Sequence, residues 1–204
     1  GAQRGVIGVN CKPEDLKWGL WETIETRTFP GSVSNHHLGT LLGQLMAAYE
    51  MNAFKDEYQK AVVENAKHFA KSLAAEGLDV AGDPAMDYTE THQVIVKVGY
   101  AHGPEVADRL EANNIICNYQ ATPEEEGFSA SGALRMGVNE MTRFGFGKED
   151  FARLAHLIAD CVLHNANVKD EVAKLRAEHL EMKYCFSDKD TEELLNGFAS
   201  ATGI

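Results

Sequence analysis

The sequence predicts an α/β chain whose main body is a small α+β domain, a mostly antiparallel sheet covered by helices. Three observations lead there. Apolar stripes at helical spacing come first, three short apolar runs bounded by turn residues follow, and helical patterns close the chain. Length suits one good-sized domain or two small ones, at 204 residues. Composition is that of a globular protein, 44% hydrophobic and 25% charged, with no repeat and no low-complexity segment.

Taken in order, RGVIGVN (4–10) reads as a short strand and Lys12-Pro13-Glu14-Asp15 as a helix start. Thr28-Phe29-Pro30-Gly31-Ser32 is a loop, because Pro and Gly together punctuate the chain. Leu38, Leu41, Leu42, Leu45, Met46 and Tyr49 form one helical stripe. Tyr58, Val62, Ala66, Phe69 and Leu73 form a second, ended by Gly77 as a C′ glycine. HQVIVKV (92–98), IICN (115–118) and ALRMGV (133–138) are strands. Pro104 near the first helical position opens a short helix to Asn113. Helices are expected over 148–165 and 168–182, and the tail DKDTEELLNGF carries a helical turn or two. The first fifty residues look like part of something larger than the module after them. The expected division is therefore 1–52 and 53–204.

Gross properties exclude several function classes. A net charge of −12 makes nucleic acid and anionic membranes poor partners. No apolar run approaches the 18 or more residues of a membrane span. The start, GAQRGVIGVN, lacks a signal-peptide layout, and Cys11, Cys117, Cys161 and Cys185 include no CxxC pair. Reduced core thiols and a cytoplasmic setting are the expectation.

Chemistry concentrates in a few places. Arg135 sits between Leu134 and Met136, in a run that reads as a buried strand. A guanidinium there stays charged and needs an anion. Two readings stand: a salt bridge to a neighbouring carboxylate, or a bidentate clamp on a substrate carboxylate, for which the planar fork suits arginine. Asn35-His36-His37 precedes the Leu38 helix, where side chains and backbone N–H groups suit an anion; Ser34 or Asn35 as a simple cap is the plainer reading. A metal at His36 and His37 is disfavoured, since adjacent side chains point apart and no further ligand stands at the right spacing. Glu124-Glu125-Glu126 reads as a solvated charge cluster that repels anionic ligands.

The segments GAQRGVI, TFPGSVSNHH, THQVIVKV, NIICNYQATP and SGALRMGVNEMTRFGFGKEDF together resemble, in order and spacing, the C-terminal half of serine hydroxymethyltransferase. The resemblance covers about residues 1–185. It implies the C-terminal part of a pyridoxal-phosphate enzyme of fold type I, the aspartate-aminotransferase type. Residues 1–52 would then close the large cofactor domain and form the interdomain helix, and 53–204 would be the small domain. Arg135 aligns with the arginine that binds the substrate's α-carboxylate. Ser34 and Asn35 stand where the family reads FPG-x-QGGP and reaches the cofactor phosphate of the neighbouring subunit through glycine backbone; the resemblance implies that their polar side chains take over that contact. Arg4 is placed at the cofactor pocket or in a structural role, and Arg143 and His37 are placed behind the ligand-touching residues. The Schiff-base lysine of the family's THK motif would fall upstream of Gly1, leaving no catalytic residue in this chain. Implied partners are the N-terminal half or a complementary chain, a homodimer mate, and amino-acid and aldehyde substrates.

FPGSVSNHH, GLDVAG, the THQV strand, GVNEMTR and the acidic EELL tail are similar to the folate-independent L-threonine transaldolases. Three functions stay open: a threonine transaldolase or aldolase, a folate-using serine hydroxymethyltransferase, and a non-catalytic domain or pseudo-enzyme subunit.

Overall fold

A computed structural model describes residues 5–15, 18–35, 37–125 and 130–203. The chain divides into two compact units, residues 1–53 and 54–204.

In the first unit, α1 spans Trp18–Thr26 and a kinked turn follows over Arg27–Ser32, where Phe29 and Pro30 leave helical geometry. The strand expected at 4–10 does not form over the described residues 5–10, which are exposed and paired in no described ladder. A strand is stable only with a hydrogen-bonded neighbour, and periodicity cannot supply one. Lys12–Asp15 is a turn, not a helix start: the Lys12 N–H donates to Asp15 Oδ2 at 2.7 Å, and α1 begins only at Trp18.

The two predicted apolar stripes belong to one helix, α2, over Leu38–Ala75. The linking sequence MNAFKDE holds no Gly or Pro, so nothing interrupts propagation. Its end is as expected: Gly77 takes φ +91°, and the Leu78 N–H reaches back to the Leu73 carbonyl at 3.1 Å.

The second unit is built on one antiparallel sheet. Its strands are β1 (Asp79–Val80), β2 (Gln93–Lys97), β3 (Asn118–Gln120) and β4 (Ala133–Gly137), in the spatial order β1-β2-β4-β3. Helices α3 (Gly103–Ala112), α4 (Asn139–Arg143), α5 (Lys148–His164), α6 (Lys169–Ala177) and α7 (Asp188–Thr202) complete it. Val62, Phe69 and Leu73 of α2 pack in one core with Val94, Val96, Leu134, Met136, Phe151 and Ile158. The strand expected at 115–118 instead starts at Asn118: Ile115 is in the core, Ile116 is 85% exposed, and pairing with β4 begins at Asn118. Helix α6 stops at Ala177 rather than 182, and Leu180 beyond it is exposed. The tail forms a full helix, α7, opened by a capping box in which Ser187 and Asp190 bond reciprocally.

Candidate functional site

Strand β4 lies between β2 and β3, and its side chains alternate across the sheet. Leu134 and Met136 point into the core, as do Val94 and Val96 of β2. The intervening residues occupy the other face. There the register sets Ile95, Arg135 and Asn118 in one row across three strands. Directly opposed residues share a face with Cβ atoms about 4.5–5.5 Å apart, so Asn118 is the polar neighbour of Arg135. Gln93, Lys97 and Gln120 lie on the same face by the same rule.

Arg135 is half-buried. Among the described residues its guanidinium makes no ion pair and no hydrogen bond, although other basic side chains, Lys60, Lys71, Lys97, Arg109, Lys148, Arg153 and Lys189 among them, pair with a carboxylate within 4.0 Å. The salt-bridge reading of Arg135 thus finds no carboxylate among the described residues. Arg135 also borders a cleft of about 1110 Å³ that combines polar residues such as Asn118, Asn139 and Arg176 with core side chains such as Phe69, Met136 and Phe151. Cys117 also lines the cleft, with its thiol pushed up to about 11 by burial, which leaves it a poor nucleophile.

The acidic loop is not a freely solvated cluster. Glu124 pairs with Lys97 at 3.4 Å. The Glu125 Oε2 accepts from the backbone N–H of Thr122 at 2.7 Å and of Gly132 at 3.1 Å. A Cβ on Gly132 would collide with the Glu125 carboxylate and come within 2.6 Å of the Gly99 carbonyl, which explains the glycine in SGALR. Glu126 lies outside the described residues.

Helix α4, with the sequence NEMTR, is tied to α2. Asn65 donates to Thr142 Oγ1 and to the Phe146 carbonyl, both at 3.0 Å, and the Tyr58 hydroxyl donates to the Asn139 carbonyl at 3.0 Å. Burial raises the Tyr58 pKa, and the nearby Arg143 charge partly offsets this. Arg143 therefore stands beside Tyr58, and its carbonyl accepts from the Lys183 N–H at 2.6 Å.

In the first unit, Ser34 and Asn35 are exposed, with the Asn35 amide donating to Ser34 Oγ at 3.3 Å. A hydroxyl and a carboxamide just before a helix start form a donor set that fits a phosphate. His37 is exposed and its carbonyl accepts from Thr40 Oγ1 and the Leu41 N–H, so its backbone opens α2. Arg4 and His36 lie outside the described residues. One group with metal-ligand character escaped the sequence reading: Asp150, Glu178 and His179 approach one another within 4.8 Å. Arg153 engages it, bidentate on Glu178 at 2.8 and 2.9 Å, so the group is an ion-pair cluster.

The family model described as serine hydroxymethyltransferase matches residues 2–158. Serine hydroxymethyltransferase of Sulfolobus acidocaldarius is 37% identical over 196 residues, covering 93% of this chain and 44% of that protein. The enzyme of the same name from Pyrobaculum arsenaticum is 39% identical over 191 residues, covering 91% and 42%. Among solved structures, L-threonine transaldolase from Pseudomonas fluorescens superposes with a TM-score of 0.77 at 28% identity, over 93% of this chain and 43% of that one. The chain spans under half the length of the curated relatives it matches.

Proposed function

Since the chain belongs to the serine hydroxymethyltransferase family, we propose that it is the C-terminal portion of a pyridoxal-phosphate enzyme that breaks and forms the Cα–Cβ bond of β-hydroxy-α-amino acids. In this reading the substrates are L-threonine and an aldehyde, and the products are acetaldehyde and a new β-hydroxy amino acid. A segment outside these residues supplies the Schiff-base lysine, and the working enzyme is a homodimer.

The observation that carries the reading is Arg135: a half-buried guanidinium on a central strand, without a carboxylate partner among the described residues, facing away from the core. Its fork holds the α-carboxylate by two charge-assisted hydrogen bonds. Fixing that group decides which bond to Cα stands ready to break, an orientation effect in which a misplacement of about 1 Å can cost roughly a hundredfold. Pyridoxal phosphate, when bound, supplies the electron sink for the pair released at Cα. Ser34 and Asn35 would hold the phosphate of the neighbouring subunit's cofactor by hydroxyl and amide donors, with His37 behind them; Arg143 would stand behind Arg135, and Arg4 is assigned to the cofactor pocket by the family resemblance alone.

Hydroxymethyl transfer with tetrahydrofolate is the second reading. The names of the curated relatives favour it, and the acidic loop opposes it less than its composition suggests. With Glu124 on Lys97 and Glu125 on backbone N–H groups, the loop opposes an anionic folate less than three solvated acids would. Turnover of threonine plus an aromatic aldehyde by the completed enzyme, with and without tetrahydrofolate, separates the two. Folate-independent formation of the new amino acid is the expected result; an absolute folate requirement with serine as the preferred substrate overturns the transaldolase reading.

A further inference from the structure

The Arg135 face carries a second cation. Lys97 on β2 is opposite Ala133 on β4, two residues before Arg135. That makes Lys97 and Arg135 diagonal neighbours on one face, with Cα atoms roughly 7–8 Å apart. Two long basic side chains at that separation would together suit a ligand with two anionic groups. The acidic loop changes this. It crosses from β3 back to β4, and its Glu124 reaches Lys97 at 3.4 Å. The placement is built, because the neighbouring Glu125 closes the loop: it accepts from the Thr122 and Gly132 backbone and its own N–H donates to the Thr122 carbonyl at 3.0 Å. On the other side of Lys97, Asp79 of β1 is its direct cross-strand neighbour.

We infer that Glu124, acting with Asp79, determines specificity: by holding Lys97 the two leave Arg135 as the cation of this sheet face without a carboxylate among the described strand and loop residues, and so select amino acids with one carboxylate over those with a second anionic group. The inference rests on the reading of Arg135 as the carboxylate anchor. The Thr122 hydroxyl, hydrogen bonds to backbone and the Lys97 ammonium hold the Glu124 carboxyl below its ordinary range, so the charge persists at neutral pH. Asp79 acts in the same direction, so freeing Lys97 requires removing both carboxylates.

The test is NMR titration of the full chain with propionate and with glutarate, following the Arg135 Nε–H signal, assigned by its loss in Arg135→Lys. The wild-type chain should bind the two with similar dissociation constants. In Glu124→Gln/Asp79→Asn, glutarate should tighten relative to propionate by about two- to five-fold, the range of one exposed ion pair. Adding Lys97→Gln should abolish the gain. An unchanged ratio in the double variant, with Arg135 still responding to propionate, overturns the inference and leaves the Arg135 reading standing. No response of Arg135 to either anion in any variant overturns the Arg135 reading, and the inference with it.

Discussion

The two faces of the sheet use the same strands for opposite purposes. On one, Val94, Val96, Leu134 and Met136 are at most 7% exposed and join the core. On the other, one residue along each strand, stand Gln93, Ile95, Lys97, Asn118 and Arg135, none of them fully buried. Alternation lets a charged residue neighbour two core residues in sequence without entering the core. The apolar flank of Arg135 therefore reports on the opposite face of the sheet. What the Arg135 face itself shows is a cation whose nearest cross-strand neighbours are Ile95 and Asn118, neither of which carries a charge.

This contrast can be broken from either side. The largest change in stability is expected on the core face. Leu134→Ala removes a fully buried side chain and should lower the unfolding free energy by about 2–5 kcal/mol, read from urea denaturation. Arg135→Ala should leave stability within about 0.5 kcal/mol, because no ion pair or hydrogen bond to a described residue is lost. Equal losses at the two positions would show that Arg135 is held by the fold.

Activity should invert that order. In the completed enzyme, Arg135→Lys keeps the charge but loses the fork, and should lower kcat/KM for threonine cleavage roughly ten- to a hundredfold. The visible cofactor band should be unchanged, since the proposed reading assigns covalent cofactor binding to another residue.

Glu125→Ala sharpens the comparison by attacking how the face is held. It removes a carboxylate that accepts from two backbone N–H groups, one of them on the buried Thr122. Thermal unfolding should report a loss of about 1–3 kcal/mol, and the Arg135 and Lys97 signals should shift together. Stability unchanged by this variant would return the loop to the solvated cluster that its composition suggests.

The smallest effect is expected from pH. Glu124 has its carboxyl depressed, first by the Thr122 hydroxyl and also by Lys97. A depressed folded value contributes stability that is fully present above the unfolded value, roughly pH 4.3, and is lost as pH falls through the folded one. The midpoint difference between the wild-type chain and Glu124→Gln should thus be small near neutrality and vanish in acid. A difference that grows on acidification contradicts the assignment.

Much of this was legible in the sequence, for physical reasons. The strands at 92–98 and 133–138 and the glycine stop at Gly77 follow from side-chain periodicity and φ preference, which are local. What periodicity could not supply was pairing. RGVIGVN has the pattern of a strand but, among the described residues, no ladder neighbour, and IICN shifted to Asn118 because register with β4 begins there. Asn118 and Lys97 as neighbours of Arg135 were invisible for the same reason, being brought together only by the strand order β2-β4-β3. Within the run of glutamates, Glu125 departs from a solvated role because charge composition says nothing about the backbone N–H groups that await a carboxylate.

The central claim is that Arg135 binds a substrate carboxylate, and the most direct measurement removes that carboxylate from each side in turn. Cleavage of L-threonine and of its neutral amide should be compared in the completed wild-type enzyme and in Arg135→Ala, with cofactor loading checked by absorbance. Two charge-assisted hydrogen bonds together are worth about 3–6 kcal/mol, so the wild-type enzyme should prefer threonine on the order of a thousandfold in kcat/KM. Arg135→Ala should lose nearly all of that preference while cleaving the amide about as well as before. A preference that survives the loss of Arg135 intact would contradict the claim and move the carboxylate site elsewhere.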